Sequence, residues 1–133
     1  MASDPSTGVD DGREDVLAEL LPEDSVLTLD EYLDMQRAIG NETRFRILYV
    51  LKERGDLSAS DLKEVLGLEA NNLHYHLDKL VDVGLVQNCK RKTADRDGLF
   101  SYYRATALGK GILEYGVEEL MRREHDFLDQ YGE

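Results

Sequence analysis

Between Leu57 and Val86 the apolar residues fall at helical spacing twice, with a break between, and then pass into an alternating pattern. Ser58 can cap a first helix, Ala59 to Leu66, with Leu62, Val65 and Leu66 on one face, and Gly67 ends it. A second helix, residues 69–83, places Leu73, Leu77, Leu80 and Val81 on its inner side and stops at Gly84, where a C-terminal glycine is expected. Its remaining face is polar: Asn71, Asn72, His74, Tyr75, His76 and Lys79. Two short helices around a tight turn make a helix-turn-helix, and that polar face has the donors and acceptors to lie in a major groove.

Upstream, Met1 to about Gly12 is rich in Ser, Asp, Gly and Pro and is expected to be disordered. A short candidate helix, Arg13 to Leu21, comes next with Val16, Leu17, Leu20 and Leu21 on one side. Thr28 or Asp30 opens a helix to Ile39 with Leu29, Tyr32, Leu33 and Gln36 in phase. A further helix, Glu42 to Arg54, turns Phe45, Leu48, Tyr49 and Leu51 inward. Downstream, Leu85 to Lys92 is strand-like at its start, residues 93–98 form a polar turn, and Leu99 to Ala105 returns as a strand. The hairpin, residues 85–105, is a wing with a basic tip. Thr106 caps a long final helix to about Tyr131, whose stripe of Leu113, Val117, Leu120, Phe127 and Tyr131 exceeds what a small domain can cover. The expected fold is therefore α+β and mainly helical: a winged helix-turn-helix with a two-stranded wing, and N- and C-terminal helices forming a dimer interface. The expected divisions are an acidic tail at 1–27, the winged domain at 28–109 and a dimerisation helix at 110–133.

Charge sharpens this picture. The 133 residues carry a net charge of -12, which alone counts against a nucleic-acid partner. Residues 1–36 hold 11 acids and one base, residues 37–110 hold 10 acids and 13 bases, and residues 111–133 hold 7 acids and 2 bases. The only section with a positive balance is the one with the helix-turn-helix, and its densest cluster is Lys90, Arg91 and Lys92. Acids divide into 15 Asp and 13 Glu, and Arg outnumbers Lys ten to six. This balance resembles that of proteins from halophilic cells with molar internal salt and suggests a halophilic archaeal source, although an ordinary acidic tail would give the same sign. No apolar run approaches the ~20 residues of a membrane span and no signal-peptide pattern opens the chain, so a soluble cytoplasmic protein is expected.

Four segments, in order and at the right spacing, carry a family resemblance over residues 28–131. Residues 38–48, Ala-Ile-Gly-Asn-Glu-Thr-Arg-Phe-Arg-Ile-Leu, are similar to the opening of ArsR-type winged helix-turn-helix regulators. Asn72-Leu73-His74-Tyr75-His76-Leu77, with Leu80 and then Gly84-Leu85-Val86, resembles their recognition helix and its exit into the wing. Tyr102 to Thr106, with Gly109, resembles the returning strand and the cap of the last helix. The resemblance implies a homodimeric DNA-binding transcriptional regulator, usually a repressor. It also marks a departure: where the family's metal sensors carry a cysteine pair, this chain has Ser58 and Ser60, whose hydroxyls are poor ligands for soft metals. His125 with Asp126 and Asp129 reads as a solvated surface, so no metal is assigned.

The remaining chemistry is sparse. His74 and His76 diverge by about 200° on a helix and cannot share an ion. Cys89, the single cysteine, lies beside three cations that would favour its thiolate if it were exposed, which makes it a candidate redox switch; the alternative is a buried or bystander thiol. No nucleophile-base pair, phosphate loop or cofactor fingerprint occurs, so the chain reads as a non-enzyme needing no cofactor. Two functions remain. In the first, a homodimer binds double-stranded DNA, with Asn71, Asn72, His74 and Tyr75 reading bases and His76, Lys79, Lys90, Arg91, Lys92, Arg96 and Arg104 on phosphates. In the second, the winged helix is an interaction module of the transcription apparatus that leaves DNA alone. Acids beside the groove face, Glu69, Asp78 and Asp82, further predict that potassium or other cations enter the DNA interface and flatten the salt dependence of binding.

Overall fold

The computed structural model describes residue 16, residues 19–92 and residues 99–131, with the side chains of residues 99 and 129–131 left aside. The expected disordered start and the wing tip lie outside the described residues. So does most of the Arg13 to Leu21 helix, although residues 19 and 20 are a turn.

Two compact units divide after Leu33. In the first, Thr28 settles where the next helix begins. Its hydroxyl accepts from the Glu31 N–H at 3.1 Å and its own N–H donates to the Glu31 carboxylate at 2.9 Å, a reciprocal cap that opens α1, Leu29–Ile39. The expected inward face of α1 is corrected. Met35, Ala38 and Ile39 are buried, whereas Tyr32, Leu33 and Gln36 are exposed. Apolar residues occupy two stripes of this helix, and the winning stripe is the one that meets the core.

The second unit holds the winged domain. Helix α2, Glu42–Arg54, is capped by the Asn41 side chain and buries Ile47, Leu48 and Leu51; Tyr49, expected inside, is 44% exposed. Helix α3, Ala59–Leu66, begins with a capping box between Ser58 and Asp61 and ends at Gly67, whose φ of 68° is the left-handed conformation glycine adopts without strain. Of its three expected core residues Leu62 is fully buried, but Val65 points outward. Helix α4, Ala70–Asp82, buries Leu73, Leu77 and Leu80.

Strands β1, Val86–Lys92, and β2, Leu99–Ala105, pair antiparallel from Val86↔Ala105 to Lys92↔Leu99. The pairing carries β1 through its whole basic end, beyond the apolar start visible in sequence. Strand β2 supplies Tyr102, Tyr103 and Ala105 to the core. Leu57 adds a third edge, exchanging two backbone hydrogen bonds with Tyr103 at 3.1 and 2.7 Å.

The expected single C-terminal helix is corrected to three: α5, Ala107–Glu114, α6, Val117–Arg122, and α7, Glu124–Tyr131. Helix α5 starts on the α4–β1 junction. Thr106 accepts from Gly109 N–H and donates to the Gly84 carbonyl at 2.7 Å, and a Cβ on Gly109 would stand 2.2 Å from the Leu85 carbonyl oxygen, so only glycine fits. The break before α6 falls at Gly116, where backbone bends out of the helical region (φ -114°, ψ -112°). The Lys52 ammonium ties α2 to both α5 and α6, lying 3.7 Å from Glu114 and 3.3 Å from Glu118 as well as 2.7 Å from its neighbour Glu53. No helix among the described residues is long and apolar enough to cross a membrane.

Candidate nucleic-acid interface

Helix α4 turns its apolar side into the core, and this fixes which side chains face outward. Asn71, Asn72, His74, Tyr75 and Lys79 are exposed, Tyr75 by 55%. At ~100° per residue Asn71, Tyr75, Lys79 and Asn72 share a sector of about 100°, with His74 on its other flank. Lys79 lies 5.4 Å from the Tyr75 ring centre, a cation–π contact that holds both side chains toward solvent. His74 borders a small cleft against Ala59, Ser60 and Lys63 of α3. Glu69 precedes the helix without making a side-chain cap.

His76 is the exception on this helix and corrects the expectation of a phosphate contact. It is 8% exposed, with its ring edge-on to Tyr75, and Nδ1 lies 3.0 Å from Arg44 Nη1. Because a guanidinium can only donate, Nδ1 accepts and the ring is neutral with its proton on Nε2. Burial, then the Arg44 charge, pushes the His76 imidazole below its usual range. Arg44 in turn donates through Nε to the Ala38 carbonyl at 2.7 Å, tying the end of α1 to α4.

The wing carries two kinds of cation. Lys90 and Lys92 are exposed and, like Lys79, have no carboxylate within salt-bridge distance among the described residues. Arg104 and Arg91 instead share Asp56, which sequence reasoning did not single out. Arg104 donates to both carboxylate oxygens at 3.2 and 3.0 Å, and Arg91 reaches one at 3.5 Å while stacking 4.2 Å from the Tyr102 ring centre. The Arg104 guanidinium holds the Asp56 carboxyl below the usual carboxylate range. Arg96 lies outside the described residues. Cys89 is half-buried on β1, opposite Tyr102.

Beyond the wing, the expected dimer stripe divides. Leu113 is fully buried within its own chain and is core, which corrects its assignment to an interface. Val117 (40%) and Leu120 (56%) are exposed, as are Met121, Leu128 and Tyr115, and Phe127 is half-buried under Arg123. The Tyr131 side chain is outside the described residues.

Residues 39–87, which hold α2, α3, α4 and the start of β1, match a family model described as a helix-turn-helix domain. The chain is 32% identical over 75 residues to the arsenical resistance operon repressor of Bacillus subtilis (strain 168), covering 56% of this chain and 66% of the relative. Among solved structures, an ArsR-like transcriptional regulator from Rhodococcus sp. RHA1 superposes with a TM-score of 0.51 and 28% identity, over 77% of this chain and 93% of that one. The chain has a winged helix-turn-helix fold similar to that of ArsR-like regulators. It is also 34% identical over 110 residues to a protein named transcription factor E from Ignicoccus hospitalis, covering 77% of this chain and 62% of the relative. The chain thus spans slightly less than two thirds of the length of the curated relatives it matches. Ser58 spends its hydroxyl on the α3 cap, accepting from the Asp61 N–H at 3.1 Å.

Proposed function

We propose that this chain is a sequence-specific, double-stranded-DNA-binding transcriptional regulator that acts as a homodimer, with α4 in the major groove and the wing along the backbone. The observation that carries this reading is the outward sector of α4. Two carboxamides, a tyrosine and a lysine project together from a helix anchored by four buried side chains, in the only part of an acidic chain with a positive balance. Asn71, Asn72, His74 and Tyr75 read base edges, where a carboxamide can bond adenine at two atoms. Lys79, Lys90 and Lys92 meet phosphates directly, and Arg91 and Arg104 do so in competition with Asp56.

Dimerisation through the exposed residues of α6 and α7 would set two recognition helices ~34 Å apart on a pseudo-palindromic site. Repression is the direction suggested by the named function of the Bacillus relative. Exposed Glu69, Asp78 and Asp82 near the groove face would take up cations as the complex forms.

Selection of bound sequences from a pool of random duplexes tests the reading. Enrichment of an inverted repeat with half-sites about one helical turn apart is the expected outcome. Enrichment of a single half-site removes the dimer, and failure to bind any duplex would move the chain to the alternative, an interaction module of the transcription apparatus.

A further inference from the structure

A groove of about 280 Å³ runs between α1, α2 and α4, lined by Asp34, Arg37, Arg44, Tyr75 and Lys79 among others. This is well above the ~15 Å³ that admits one water. Three of these five side chains are cationic and one is acidic, in a chain of net charge -12. Asp34 is already paired with Arg37, at 2.5 Å. Among the described residues neither Arg44 nor Lys79 has a carboxylate within salt-bridge distance.

Arg44 is also pre-oriented. Its guanidinium spends Nε on the Ala38 carbonyl and one Nη1 donor on buried His76, which leaves three of its five donors and fixes the plane in which they point. A planar fork fixed in advance loses less side-chain entropy when it meets a tetrahedral oxyanion. The Tyr75 hydroxyl and the Lys79 ammonium supply further donors from the recognition helix itself.

We infer that this groove is an oxyanion site, taking a phosphate group between Arg44, Lys79 and Arg37. The phosphate comes either from the DNA backbone beside the recognition helix or from a free phosphate-bearing anion. Either source would act on DNA reading, because Tyr75 and Lys79 are shared between the groove and the outward sector of α4. Asp34 opposes occupancy by competing for Arg37. The backbone source rests on the proposed function; the free source does not.

The test uses the full chain, with inorganic phosphate exchanged for chloride at constant ionic strength and the amide and Arg Nε–H resonances followed by NMR. Saturable shifts confined to the groove are expected, weakened several-fold by Lys79→Gln and by Arg37→Gln and strengthened by Asp34→Asn. These three positions are exposed, so the outcome does not depend on a variant that disturbs the α1 anchor at Arg44. In a second arm the titration is repeated on the complex with a selected duplex. Loss of the phosphate response there assigns the site to a backbone phosphate, and Arg37→Gln should then change the slope of log affinity against log salt by about one. A retained response assigns it to a free anion. Shifts as large at Lys90 and Lys92 as in the groove, or groove variants that bind phosphate like the parent, would overturn the inference. If the protein binds no DNA the proposed function falls, while the first arm still reads the groove.

Discussion

Replacing Asp56 by Asn should weaken the fold and strengthen nonspecific DNA binding at the same time. Asp56 anchors the wing to the segment before α3 through two bonds to Arg104 and a longer contact to Arg91. Its side chain is 31% exposed and those of its partners 45% and 52%, so solvent screens the pair and the stability cost should be about 0.5–1 kcal/mol. For a domain of this size that is a fall in Tm of roughly 2–8 °C. The sign with pH comes from the lowered Asp56 carboxyl: the contribution is present above the unfolded carboxyl value near 3.8 and is lost as pH falls toward the folded value. Parent and variant melting curves should therefore converge in acid. On DNA the same change frees one to two cations for phosphates, each adding about 0.9 to the magnitude of the salt slope. Between 50 and 200 mM salt the advantage of the variant over the parent should shrink by about 3- to 12-fold. Thermal melts from pH 3 to 7 and anisotropy titrations on random duplex would read both effects. If affinity falls together with stability, Asp56 organises the wing for DNA rather than competing with it, and the reasoning is refuted.

Three further outcomes are expected. His76 is held below its ordinary value of 6.5, so its share of stability is complete above that pH and declines as pH falls toward its folded value; in His76→Gln, denaturant melts should lose this part of the pH dependence. Leu113→Ala should cost about 3–5 kcal/mol in melts because the side chain is fully buried, whereas Leu120→Ala should leave the fold intact and shift sedimentation from dimer toward monomer. Wild-type affinity for DNA should stay nearly flat or rise with potassium chloride through the molar range, and Glu69→Gln or Asp82→Asn should give an ordinary negative slope; a steep wild-type loss would remove the proposed cation uptake.

The parts of the fold legible in the sequence were those fixed by local chemistry. Ser58 and Gly67 bound α3, each through a cap made within a few residues, and Gly84 comes just after α4. The inward face of α4 was legible because its apolar stripe is single. Helix α1 has two stripes, and only tertiary packing selects Met35, Ala38 and Ile39 over Tyr32 and Leu33. The break before α6 was missed because the apolar spacing runs on across Gly116, while a Cβ there would lie 2.5 Å from the Ile112 carbonyl oxygen. The site was half legible for the same reason. Exposed Asn72 and Tyr75 are predictable from helical phase, but His76 meets Arg44 across 32 positions and Arg104 meets Asp56 across 48, and no periodicity encodes such pairs.

The central claim is that α4 reads bases while the wing holds phosphates. Its most direct measurement is a set of matched titrations of the parent, Asn72→Ala, Tyr75→Ala and Lys90→Gln on one selected duplex and one random duplex, at a single salt concentration. Asn72→Ala and Tyr75→Ala should each cost about 1–3 kcal/mol on the selected site and little on random DNA, and Lys90→Gln should weaken both alike. Equal losses on both duplexes for all three variants would contradict the assignment of α4 as the reading element.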